Sequence, residues 1–330
     1  MKQIVSIFIL CLLFASCRQI YHEERGRVFN TMYQVKYQSD TLLTEMIQAE
    51  LEAFNLSLNP FNPNSIIAKI NRDEAVEVDQ WFTDVFNKAM EVSERSNGLF
   101  DVTCAPLINV WGFGFESWDS ITPQLIDSLK AFVGYRKVHL EGRQIIKDDP
   151  RIILNFSAIA KGYACDVIAA LLERQGVKNY LVNIGGEIAA RGKNERGICW
   201  QIGINEPEDE DSYMSNKVKE TVRLCGKRGM ATSGDYRNYY IKDGKKYGHT
   251  INPVTGYPAE QNIVSATIIA PNCMTADAYA TAFMAMGVED ACKMAEQVPE
   301  IEYYIIYSAN DGLQRIKYSN GIKSMLVKKQ

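Results

Sequence analysis

Three short segments of this chain carry residues that could do chemistry. The first, Lys246 to Pro258, reads Lys-Tyr-Gly-His-Thr-Ile-Asn-Pro-Val-Thr-Gly-Tyr-Pro and holds His249, one of 3 histidines in 330 residues. Asn252-Pro253, Thr255-Gly256 and Pro258 punctuate it so densely that it reads as a loop of fixed backbone rather than a strand or helix. An imidazole titrates near neutrality, so on such a loop His249 is placed for proton transfer; a surface turn with an incidental histidine fits the same residues. In the second segment, Leu154 to Asp166, a strand turns into a helix with Lys161 in its first turns. Helix N-termini attract phosphate through free amides and the dipole, and a lysine adds a mobile positive charge, although many such junctions carry lysine for solubility. The third, Met274 to Thr281, spaces Asp277 and Thr281 four residues apart, on one face of a helix. A carboxylate and a hydroxyl there are two hard oxygen ligands for Mg²⁺, completed by carbonyls, waters and phosphates. The plainer reading is a helix-start Asp stabilised by the dipole beside a packed Thr, and the residues alone favour it.

The elements that must position these segments follow from hydrophobic periodicity. Val28 to Gln38 alternates like a strand, after a short tether. Leu42, Leu43, Met46, Ile47, Leu51 and Phe54 recur at helical spacing, and an Asn- and Pro-rich loop (Asn59 to Ser65) follows. Phe82, Val85, Phe86, Ala89 and Met90 mark a second helix stopped by Asn97-Gly98, and Thr122-Pro123 opens a third. Val138 to Leu140, Gln144 to Lys147 and Arg151 to Phe156 read as short strands. A helix from about Ile159 to Arg174 stops at Gly176, and a buried strand, Tyr180 to Ile184, leads into Gly185-Gly186. Cys199 to Ile204, Val222 to Cys225, Ile263 to Ala270, Tyr303 to Tyr307 and Gln314 to Tyr318 are further strands, and Thr275 to Met286 is a helix ended by Gly287. Helices and strands alternate without a regular βαβ repeat, which predicts an α+β fold rather than a doubly wound sheet.

Lys2 followed by the apolar run Ile4 to Phe14 and then Ala15-Ser16-Cys17 has the layout of a secretory signal, too short to span a bilayer comfortably. Its end resembles a bacterial lipobox, with Phe14 where Leu is usual. The expected organisation is therefore a lipoprotein signal peptide at residues 1–17, lipidation of Cys17, and one domain over 18–330, exported and tethered to a membrane. Apolar residues at 46% and charged residues at 23% are globular values, and a net charge of −4 gives no basic footprint for nucleic acid. Outside the signal, the six cysteines (Cys104, Cys165, Cys199, Cys225, Cys273, Cys292) include no Cys-x-x-Cys pair, so neither zinc nor thioredoxin-like chemistry is indicated, and most read as small buried hydrophobes. The acidic run Glu206 to Asp211 reads as a solvated loop.

Taken in order, these segments resemble the ApbE family of FAD:protein FMN transferases (thiamine-biosynthesis-lipoprotein-like proteins). Ser65 to Asn71 matches its Ser-x-Ile-x-x-x-Asn element. Gly98-Leu99-Phe100-Asp101 and Trp111-Gly112-Phe113-Gly114 match two further signatures. Ala160-Lys161-Gly162-Tyr163 with Asp166, Gly185-Gly186-Glu187, Ala231 to Tyr236, the His249 loop and Ala276-Asp277-Ala278 complete the series. Phe29-Asn30 stands where Met-Gly is usual, Asn155 where Asp is frequent, and Asn252 where the His-x-x-Asp-Pro element has Asp; an amide can still fix that turn.

The resemblance implies an ApbE/T-fold-like domain of largely antiparallel sheets packed with helices. It implies an enzyme that moves FMN from FAD to a Ser or Thr hydroxyl of a target flavoprotein and releases AMP. By position, Asp277, Thr281 and the carbonyl of Ala158 would hold Mg²⁺, and His249 would be the base. Phe29, Phe61, Leu99, Phe100, Asp101, Asn155, Lys161 and Ile251 fall where the family contacts FAD. Two other readings are an FAD pyrophosphatase, with water replacing the hydroxyl, and a surface FAD carrier without turnover.

Overall fold

The structure is a computed structural model that describes residues 20–113, 121–207, 217–234, 239–242, 245–248, 250–259 and 261–327. Cys17 and His249 lie outside the described residues. The first surprise is at the start. β1 (Tyr21–Val28) and β2 (Thr31–Gln38) form an antiparallel hairpin, where the sequence suggested a tether and then one strand from Val28. Phe29 and Asn30 both adopt left-handed backbone, at φ 50° and 57°, the geometry of a two-residue turn whose twist suits a hairpin. That turn folds the supposed tether back onto β2.

α1 (Thr44–Leu58), α2 (Ile66–Asn71), α3 (Gln80–Arg95), α4 (Ala105–Val110) and α5 (Pro123–Lys130) follow. α3 ends as its sequence predicts, with Asn97 and Gly98 at positive φ, and the Thr122 hydroxyl caps α5. A small hairpin, β3 (Val138–Glu141) and β4 (Gln144–Lys147), precedes α6 (Ala160–Arg174). Between them, Arg151 to Phe156 pairs with no strand among the described residues, contrary to its apolar pattern. Its polar backbone is satisfied otherwise: the Asn71 side chain accepts from Leu154 N at 2.8 Å and donates to Leu154 O at 2.9 Å, and Asn155 N donates to Val102 O.

The chain then runs through β5 (Tyr180–Ile184), β6 (Glu187–Arg191), β7 (Trp200–Asn205), β8 (Val218–Leu224), β9 (Arg228–Gly234), β10 (Tyr239–Lys242), β11 (Lys245–Gly248) and β12 (Ile263–Ala270). α7 (Cys273–Met286), α8 (Val288–Glu296), β13 (Glu302–Ser308), β14 (Gln314–Tyr318) and α9 (Asn320–Met325) complete it. The segment from Lys246 to Gly248, expected in a loop, is thus ladder strand, and the predicted turn begins beyond it.

The main sheet has eight strands in the order β1-β2-β5-β6-β9-β12-β13-β14, and its neighbours pair antiparallel, as the α+β reading requires. Both faces of its centre are covered. Tyr180, Val182 and Ile184 join the cluster formed with α1, α3, α6 and α7, whereas Leu181, Ile188, Met230 and Ile306 join Trp200, Val222 and Leu224 of the β7–β8 ribbon. Two-sided burial explains why these strands read as continuous apolar runs. Cys199 and Cys225, scattered in sequence, close a disulfide at the end of that ribbon, while the other four are buried free thiols. A third cluster joins Leu107 and Val110 of α4, Ile126 of α5 and Ile251.

Replacing Asn71 by Ala removes both hydrogen bonds to Leu154 and leaves buried backbone groups unpaired. We expect a loss of about 2–4 kcal/mol, seen as a lower urea midpoint with an unchanged m value.

Candidate active site

The site is organised by a close crossing of α6 and α7. A Cβ on Gly162 would lie 2.5 Å from Cys273 O and 2.6 Å from the Cβ of Asp277, so only glycine lets the helices approach this far. Gly229 does the same beneath them, since its Cβ would fall 2.2 Å from Cys273 N. α7 is capped by the Asn272 side chain, which accepts from Thr275 N, and by Asp166 of α6, which accepts from Cys273 N and Met274 N. Asp277 therefore does not serve the start of its own helix, as the plainer reading had it. Only 3% exposed, it faces the start of α6, where it accepts from Gly162 N at 2.9 Å.

Beside it, Lys161 ion-pairs with Glu187, which follows the Gly185-Gly186 turn. Burial opposes the Lys161 charge, yet the Asp277 and Glu187 carboxylates outweigh it and raise its pKa. Burial likewise pushes Glu187 and Asp277 above the carboxylate range, against the pull of Lys161. One ammonium thus faces two buried carboxylates, and Glu187 Oε2 is buried without a hydrogen-bond partner. One turn along α7, the Thr281 hydroxyl lies 3.3 Å from that of Ser233 on β9. Among the described residues, no group of three or more His, Cys, Asp or Glu side chains could hold a metal. A hard cation would fit the excess anionic charge at Asp277 and the oxygens near it, in the sparse manner of Mg²⁺, which takes few carboxylates and relies on substrate phosphates.

Lys161 also lines a cleft with Phe29, Phe61, Pro60, Ser157 and Ala160. Phe61 is 58% exposed, and Phe29 packs on Phe54, ring centroids 5.6 Å apart. A bulky residue at positive φ is unfavourable, so the Phe29 turn is held by its surroundings rather than by preference. Ala158 lies two residues before α6 begins.

The remaining predicted contacts sit on loops with fixed backbones. Asp101 accepts from Thr103 N, Thr103 Oγ1 and Tyr135 N; burial raises its pKa against these bonds. Phe100 is core, and Leu99 is half-buried beside it. The Asn155 side chain accepts from Ser157 N. Ile251 is buried and bridges to Pro258; Asn252 Oδ1 accepts from Val254 N and Thr255 N, fixing the turn as an amide should. Trp111 Nε1 donates to Gly256 O, tying one family signature to another. The structure thus joins Phe29, Phe61 and Lys161 at one cleft and Lys161 with Asp277 in one charge cluster. Glu187, Asp166 and Ser233 had no role from sequence. Their signals were present, in a glycine pair, an Ala-Lys-Gly-Tyr element and a Thr-Ser-Gly, but only folding brings them to α7.

Burial pushes Asp166 up to about 7 against its two amide bonds. A raised folded pKa means the native state binds the extra proton, so this contribution to stability is lost as pH rises from about 4 to about 7. Thermal unfolding of wild type and Asp166→Asn should therefore show the difference moving in favour of wild type as pH falls through that window; parallel curves would contradict it.

A model of the ApbE family matches residues 29–305. The FAD:protein FMN transferase of Vibrio cholerae is 35% identical over 331 residues, covering 96% of this chain and 97% of the relative. That of Escherichia coli K12 is 34% identical over 294 residues, covering 86% and 82%. Among solved structures, the flavin transferase ApbE of Vibrio cholerae superposes with a TM-score of 0.82 at 31% identity, covering 93% of this chain and 99% of that one. The apo flavinyl transferase ApbE of Pseudomonas stutzeri gives 0.82 at 28%, covering 93% and 97%. With the glycine-spaced helix crossing and the Lys161–Asp277 cluster in place, the chain belongs to the ApbE family of flavin transferases.

Proposed function

We propose that this chain is a Mg²⁺-dependent FAD:protein FMN transferase that esterifies a Ser or Thr hydroxyl of an acceptor protein and releases AMP. The observation that carries the reading is the buried Asp277 at the α6 N-terminus beside Lys161, an anionic pocket next to a cation in a cleft edged by the half-buried Phe29 and exposed Phe61 rings. Phe29 and Phe61 offer ring faces to a flavin or adenine, and Lys161 leaves Glu187 to meet the pyrophosphate. Asp277, Thr281 and the Ala158 carbonyl would hold Mg²⁺, which when bound neutralises pyrophosphate charge. Because Phe100, Ile251 and the Asp101 carboxylate are buried or already bonded, they would meet FAD through backbone, with Leu99 and Asn155 beside them. His249 would take the proton from the acceptor hydroxyl as its oxygen attacks the FMN phosphorus and the bond to the AMP phosphate breaks.

The test incubates the protein with FAD, Mg²⁺ and a flavoprotein acceptor. Expected are a covalently labelled, fluorescent acceptor and one AMP per label. Free FMN forming at the same rate without acceptor indicates hydrolysis by water instead, and intact FAD after long incubation indicates a carrier.

Asp277→Ala should fold and lose Mg²⁺-dependent FAD cleavage by about two orders of magnitude or more, with partial recovery at high Mg²⁺. Thr281→Val should be milder, because a neutral hydroxyl holds a dication less. His249→Ala should slow transfer while leaving FAD binding intact. Near-wild-type cleavage by Asp277→Ala at limiting Mg²⁺ rejects the metal assignment.

For location, the reading is export and a lipid anchor on Cys17, supported by the lipobox-like Phe14-Ala15-Ser16-Cys17. Cys17→Ala should block processing or release a soluble form; unchanged membrane association rejects the anchor.

A further inference from the structure

The sheet has a polarity that bears on how the enzyme meets a membrane. At one end lie the Phe29-Asn30 turn, the Gly185-Gly186 turn and Glu187, the site end. At the other, the register pairs Tyr21 with Gln38 and aligns Tyr37, Tyr180 and Arg191. Bonds lace that second end together: Ser39 N donates to Ile20 O, Gln38 N to Asn179 O, Lys193 N to Asn179 Oδ1, and the Tyr21 hydroxyl to Lys193 O.

Around this rim three aliphatic side chains stand in solvent, Ile20 at 47%, Leu42 at 70% and Ile198 at 44% exposure. Lys178, Lys193 and Arg196 are exposed among them, against the acidic Asp40 and Glu195. Glu195 is 4.0 Å from Lys36. Three exposed cations against two exposed carboxylates leave a small positive excess beside protruding aliphatics, in a chain of net charge −4. It is the surface chemistry of a face that rests on a bilayer with anionic headgroups.

The chain's start places such a bilayer at this rim. Only Arg18, Gln19 and Ile20 separate Cys17 from the first ladder residue, Tyr21. Four Cα steps reach at most about 14 Å, so an acylated Cys17 cannot hold the domain on a long leash.

We propose that the rim formed by Ile20, Leu42, Lys178, Lys193, Arg196 and Ile198 is a membrane-docking face for anionic phospholipid. It rests on the Cys17 anchor proposed above. β1 is eight residues long, so docking at its start holds the Phe29 turn about 25 Å from the headgroups. The flavin cleft then lies at the end of the sheet away from the bilayer, and the acceptor hydroxyl must be presented at that height.

The test uses the full lipidated chain on vesicles of phosphatidylethanolamine and phosphatidylglycerol. An environment-sensitive fluorophore is attached at Ile198→Cys or, as the control near the site end, at Met32→Cys. We expect the label at 198 to shift to the blue and be quenched by spin-labelled lipid, and the label at 32 to remain water-exposed. In the soluble Cys17→Ala form, reversing Lys178, Lys193 and Arg196 to Glu should weaken vesicle binding on the order of tenfold or more. Equal water exposure of the two labels on bound protein overturns the face, as does binding untouched by charge reversal. The anchor fails differently: Cys17→Ala that stays as membrane-bound as wild type rejects acylation but leaves the two-label comparison decisive for the face. A chain that binds no vesicle in either form overturns both.

Discussion

The architecture turns on the contact between α6 and α7, made possible by the missing side chain at Gly162. Two helices that start close together bring their unpaired amides together, and those amides need acceptors. The chain supplies them across the crossing: Asp166 of α6 serves the start of α7, and Asp277 of α7 serves the start of α6. This reciprocal capping locks the relative position of the helices. It also obliges Asp277 to sit buried close to Lys161, where Glu187 is the second carboxylate. The packing requirement and the electrostatics of the site are therefore one constraint.

Buried carboxylates disfavour their own charge, and the shifts at Asp277, Glu187 and Asp166 all run upward for that reason. Lys161 offsets part of the excess. What is left is a pocket that favours an added cation, with an unpartnered carboxylate oxygen on Glu187. Such bias suits a divalent ion and a phosphate-bearing substrate arriving together, since the cation answers the carboxylates and the lysine can turn to the phosphate.

Some residues expected at FAD from their family position also hold loops in shape. The Asp101 carboxylate holds the turn after α3 to Tyr135 and Thr103. Asn155 and Asn252 fix turns through their side-chain oxygens, a task an amide performs as well as a carboxylate, which explains why Asn is tolerated where Asp is usual. The exception is Phe29, whose left-handed backbone is an unfavourable choice for a large side chain and which lies at the edge of the cleft.

The sequence by itself determined the local elements wherever one face is buried at a regular period or a cap is written in. α1, α3, α5, α6 and α7 and strands β5, β12, β13 and β14 all fall near their predicted places, because periodicity, Thr-Pro and Asn-Gly signals act over a few residues. The family was legible too, since its motifs are short and contiguous. Tertiary structure decided the rest. The β1–β2 hairpin depends on Phe29 and Asn30 accepting a backbone that propensity disfavours for Phe, and it is held by pairing to β5. Arg151 to Phe156 has a strand's pattern but finds Asn71 rather than a ladder. Cys199 and Cys225 meet only because β7 pairs with β8. Asp277 reads in sequence as an ordinary helix-start carboxylate. Its role is set by which helix lies across it, and that contact joins residues 115 positions apart, a separation over which no local signal operates.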